Sequence, residues 1–172
     1  MKLAVSLVLA ALLLPQGLEV GKDVPDLKLK SVDGKECTIA GLSKEGKVIV
    51  IVSWSVDCPS GKPTIGRSTE IAKKYADNAK VAFVGVSTYG DTEDKIKSYA
   101  KDQNITYPIV HDGDKAIAKA LGAKQVNSTY VIKEGKLFWK GGVTKDGKDP
   151  VVDAIQAALE GKPAPASNKF PG

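Results

Sequence analysis

Val48-Ile49-Val50-Ile51-Val52-Ser53-Trp54 is an almost unbroken β-branched run closed by an aromatic residue. It has no polar alternation, so neither face can be left in water. It is also too short and too rich in Val and Ile to favour a helix. It reads as a strand buried on both faces in the middle of a sheet. A short turn follows, Ser55-Val56-Asp57, then Cys58, Pro59 and a helical pattern. A cysteine at such a strand-to-helix turn meets the N–H groups at a helix start. These favour the thiolate, the reactive form of the thiol.

At 172 residues, 42% hydrophobic and 26% charged, the chain suits one domain with a full core. The residues Leu3 to Leu14 form an apolar run behind Lys2, broken at Pro15-Gln16-Gly17. The run is short for a bilayer and has the shape of a secretory signal. Residues 1–17 are therefore expected to be a signal peptide, 18–161 the folded domain, and 162–172 a loose tail rich in Pro, Ala and Ser. Export to the periplasm or medium follows, with no stable membrane insertion after signal removal. The net charge of +5 is spread over lysines mixed with Asp and Glu. That is a solvated face, and no basic block interleaved with aromatics points to nucleic acid.

The other elements follow from pattern. Leu27 to Lys30 and Glu36 to Ile39 flank Asp33-Gly34 as a hairpin. Thr64 to Ala76 is helical, and Val81 to Ser87 is the next buried strand. Asp91 or Thr92 caps a helix through Ile96, Tyr99 and Ala100. Tyr107 to Val110 is extended, and Asp114 to Leu121 is a helix stopped by Gly122. Ser128–Ile132 and Lys136–Lys140 form a hairpin around Glu134-Gly135. Asp149 caps a last helix with Pro150 at its first position and Gly161 at its end. Strands separated by helices, followed by a late hairpin, give an α/β fold with a mixed sheet.

The turn Ser53-Trp54-Ser55-Val56-Asp57-Cys58-Pro59 resembles the active-site turn of thioredoxin-fold redoxins. These include exported thiol–disulfide oxidoreductases and the peroxiredoxins of the alkyl hydroperoxide reductase/thiol-specific antioxidant family. The resemblance runs from about Val20 to about Gly161. It implies a thioredoxin-like fold: a mixed central sheet with helices on both faces and an N-terminal β-hairpin. It also implies an oxidoreductase working through Cys58, in thiol–disulfide exchange or peroxide reduction. Its partner would be a thiol or disulfide protein or a small peroxide, and no cofactor is implied. By the same resemblance Ser55 matches the hydroxyl residue that peroxiredoxins set against the thiolate. Trp54 matches the aromatic beside the turn. Val126 and Asn127 match the loop that faces the cysteine and holds substrate.

The chain departs from that pattern at several places. Dithiol enzymes of this fold carry a second cysteine where Gly61 stands, so the turn is a one-cysteine site. Asn127 replaces a cis-proline, and its peptide bond is expected to be trans. Ile51 stands where peroxiredoxins have a proline, and the single arginine, Arg67, follows the cysteine instead of coming from a distant strand. Pro63 lies close after Cys58; a helix starting there would leave the thiol outside much of its dipole. Cys37 reads as a small buried residue or as a resolving partner for Cys58, and the two can pair or stay separate. A metal or Cys–His site would need Cys58, Asp57 and the lone His111 to converge; no metal is expected. Gly85, Gly141 and Gly142 lack the spacing of a phosphate loop. The competing class is a non-catalytic binding module that kept the scaffold.

Overall fold

The computed structural model describes residues 17–88, 90–123, 126–144 and 146–167. The expected signal peptide, residues 1–17, lies outside them save for Gly17, and the end of the expected tail lies outside them too. In chain order the elements are β1 (Lys28–Lys30), β2 (Glu36–Thr38), α1 (Ile39–Lys44), β3 (Val48–Trp54), α2 (Gly61–Lys74) and β4 (Val81–Ser87). There follow α3 (Glu93–Asp102), β5 (Ile109–His111), α4 (Ala116–Leu121), β6 (Thr129–Lys133), β7 (Lys136–Gly141) and α5 (Pro150–Glu160).

β3 sits at the centre of a five-stranded sheet ordered β5-β4-β3-β6-β7. It pairs in parallel with β4 and antiparallel with β6. Its side chains alternate between two cores, which is why the run is apolar on both faces up to Ser53. Val48, Val50, Val52 and Trp54 face one core, with Ile65 of α2, Ile96 of α3 and Ile155 of α5. Ile49 and Ile51 face the other, with Leu29 of β1, Ile39 of α1 and Ile117 of α4. Each such side chain contributes about 1.5–3 kcal/mol by leaving water. The fold is the expected one, with helices on both faces and an antiparallel β1–β2 hairpin in register Leu29 to Cys37.

Four local readings change. Ile39 opens a short helix instead of ending a strand, because the extended Thr38 caps it: its hydroxyl accepts from Gly41 N at 2.9 Å. The helix after Cys58 starts at Gly61, two residues ahead of Pro63. Proline fits there because first-turn N–H groups have no intrahelical acceptor to lose. The short strand is Ile109–His111, starting two residues later and ending one later than the expected Tyr107 to Val110. Asp149 precedes α5 as expected but makes no side-chain cap; its carboxylate receives Arg67. The β6–β7 turn is the expected Glu134-Gly135, with φ of 53° and 73°, the left-handed pair that a tight hairpin needs.

Candidate active site

Cys58 lies four residues beyond the C-terminal end of β3, where the chain turns into α2. A turn closed by Gly61 N on Cys58 O at 2.9 Å leads into the helix. Ser60 is the N-cap residue, yet its hydroxyl makes no capping bond. It lies 3.1 Å from Cys58 Sγ instead. This contact, with the backbone N–H groups of Gly61 and Ser60, draws the Cys58 thiol below its ordinary pKa. Desolvation and the nearby Asp91 charge oppose them without reversing the result. The thiol is thus both half-exposed and shifted toward thiolate, the two conditions for a reactive cysteine.

The turn ahead of Cys58 is held from the neighbouring strand. Asp91, 2% exposed, follows β4 and reaches across to β3's exit. Its Oδ1 accepts from Ser55 Oγ at 3.0 Å and Asp57 N at 3.2 Å; its Oδ2 accepts from Val56 N at 3.0 Å. Ser87 Oγ, at the end of β4, donates to the same Oδ2. Thr92 takes the capping role at α3, accepting from Lys95 N at 3.3 Å. At the rim Lys95 Nζ pairs with Asp57 Oδ2 at 2.8 Å. Both side chains are over half exposed, so that pair adds little.

The loop before β6 closes the site from the other side. The Val126–Asn127 peptide is trans, and Asn127 adopts φ of 79°, a left-handed conformation that Asn tolerates. Its backbone N–H donates to Ser53 O at 2.8 Å, and its side-chain Nδ2 donates to Ser60 O at 3.2 Å. Val126, beside it, is half-buried. Trp54 is wholly buried under the turn, its ring 6.3 Å from that of Tyr99 and tight against Gly85. It supports the turn from below.

The structure thus brings Cys58, Ser60, Ser55, Trp54 and Asn127 together at one end of the sheet. Cys37 is elsewhere. It lines a groove with Ala72 and Tyr75 at the far end of α2 and Val81–Val84 in the first half of β4. Fourteen helical residues rise about 21 Å, and a disulfide needs Cα atoms within about 7 Å. Both cysteines are free, and burial pushes the Cys37 thiol up. His111 ends β5 opposite Ser87, while Asp112 accepts from Ile117 N and Ala118 N at 3.0 and 2.9 Å to start α4. Among the described residues no three His, Cys, Asp or Glu side chains converge as a metal site.

Two contributors escape a reading of the sequence. Ser60 carries a signal, a hydroxyl two residues after the cysteine. Asp91 carries none, because its partners in the Cys58 turn lie 34 to 36 residues away.

Residues 20–140 match the AhpC/TSA family model. The thiol-disulfide oxidoreductase YkuV of Bacillus subtilis is 35% identical over 119 residues, covering 66% of this chain and 80% of that one. The thiol-disulfide oxidoreductase ResA of Bacillus thuringiensis is 23% identical, covering 75% and 74%. Among solved structures, a thiol:disulfide interchange protein of the thioredoxin family from Chlorobium tepidum superposes with a TM-score of 0.65. It is 21% identical and covers 84% of this chain and 97% of that chain. No helix among the described residues is long and apolar enough to cross a membrane.

Proposed function

The chain belongs to the AhpC/TSA family, and from that premise we propose that it is an exported oxidoreductase whose Cys58 exchanges thiols and disulfides as a one-cysteine centre. The contact between Cys58 Sγ and Ser60 Oγ carries the reading. In the first step the Cys58 thiolate attacks one sulfur of a partner disulfide. A Cys58–partner disulfide forms, and the other partner sulfur leaves as thiolate. Gly61 offers no second thiol, and Cys37 lies at the far end of α2. An external thiol therefore attacks the partner sulfur and releases Cys58 as thiolate.

Peroxide reduction is the weaker use of this site. The Ser55 hydroxyl donates to Asp91, and Arg67 is engaged by Asp149 and Glu70. Export rests on the apolar run Leu3 to Leu14 ahead of the domain at 18–161.

Reduced protein incubated with glutathione disulfide tests the reading by intact-mass spectrometry. One glutathione is expected on Cys58, persisting until a thiol is added, and none in Cys58→Ser. An unmodified Cys58, or oxidation by hydrogen peroxide far faster than exchange, overturns it.

A further inference from the structure

Asp91 is the most heavily engaged acid in the site. A carboxylate at 2% exposure must find donors for its oxygens or lose their hydration uncompensated. Asp91 finds four: the hydroxyls of Ser55 and Ser87 and the backbone N–H groups of Val56 and Asp57. Three belong to the turn that leads into Cys58, and the fourth anchors the acid to the end of β4. No capping duty explains it, since Thr92 caps α3.

We propose that Asp91 is the positioning residue of the Cys58 site: its carboxylate fixes the turn 55–57 to β4 and so sets where the thiol meets Ser60 and the start of α2. This rests on Cys58 acting as a reactive thiolate. The geometry makes the dependence direct. Gly61, the first residue of α2, packs so closely that a Cβ there would lie 3.0 Å from Ser55 O. A displacement of the turn therefore displaces Cys58 relative to the donors at the helix start. The Asp91 charge acts the other way, holding the thiol pKa up, as a smaller effect than the hydrogen bond from Ser60. The remaining charged groups at the turn, Asp57 and Lys95, pair with each other at the rim.

The two roles give opposite results when Asp91 is replaced. If positioning dominates, Asp91→Ala raises the pH midpoint of Cys58 alkylation toward the free-thiol value of about 8.5. Alkylation at pH 7 then slows about tenfold. Asp91→Asn, which keeps one accepting oxygen, moves the midpoint the same way by less. A midpoint that stays put or falls in the folded variants overturns the proposal. Should Asp91→Ala fail to fold, the isosteric Asp91→Asn decides on the same readout.

Amide hydrogen exchange of the wild-type protein gives an independent arm. The Val56 and Asp57 amides are expected to be protected about a hundredfold or more over free peptide, because both donate to the buried Asp91 carboxylate. Exchange at the free rate overturns the proposal without any variant. An ordinary wild-type midpoint alongside protected amides would instead defeat the reading of Cys58 and leave Asp91 as the residue that holds the turn.

Discussion

The side-chain amide of Asn127 donates to the backbone oxygen of Ser60 at 3.2 Å, across 67 residues of sequence. It ties the loop before β6 to the N-cap residue of α2. A proline at this position can neither adopt φ of 79° nor donate to Ser53 O. Asn127→Pro is expected to destabilise the fold by about 1–3 kcal/mol, read as a fall in Cm in urea at unchanged m. An unchanged Cm would show that the loop can rebuild around proline.

Ser60→Ala removes the hydroxyl that faces the thiol. The Cys58 alkylation midpoint is expected to rise toward the ordinary value, with little change in Tm because the residue is exposed. Ser55→Ala should do the reverse, lowering Tm through the loss of a buried donor to Asp91 while moving the midpoint less.

Gly61→Cys tests whether the turn still has dithiol geometry. A Cβ at Gly61 would lie 3.5 Å from Cys58 Cβ. That is at the short end of the disulfide range of about 3.5–4.5 Å. The oxidised variant is expected to hold a disulfide between Cys58 and the introduced thiol, and to titrate a single free thiol, that of Cys37. Crowding against Ser55 O should make the reduced form somewhat less stable than wild type. Three free thiols after oxidation would show that the turn has lost that geometry.

How much of this is legible in the sequence depends on the range of each signal. The β3 run announces its double burial because five consecutive β-branched apolar residues, Val48 to Val52, leave no polar face to turn to water. Asn127's trans bond follows from the cost of cis peptides alone. By contrast, α1 is hidden because Thr38 can end a strand or cap a helix, and only the Gly41 contact decides. The α2 start is obscured because Pro63 looks like a first residue but serves as the third. Asp91 is hidden because a long-range carboxylate leaves no local pattern, and its neighbour Thr92 is an equally good cap by type. Asp149, a cap by type, is claimed by Arg67, which the sequence shows only as the lone arginine.

The Arg67–Asp149 pair predicts a pH dependence. Arg67 holds the Asp149 carboxyl below the usual carboxylate value of about 3.9. A depressed folded pKa gives stability that is present above the unfolded value and is lost as pH falls through the folded one. Asp149→Asn should therefore lower Tm by a few degrees at pH 7 and flatten its decline below about pH 4. Parallel Tm curves for the two proteins between about pH 2 and 5 would contradict this.

The redox role of Cys58 is tested most directly by its alkylation rate against pH in Cys37→Ser, where it is the only thiol. A single midpoint is expected below the free-thiol value of about 8.5, set by Ser60 and the helix start. A midpoint at or above that value would show a thiol with no activated form, and the redox role of Cys58 would fall with it.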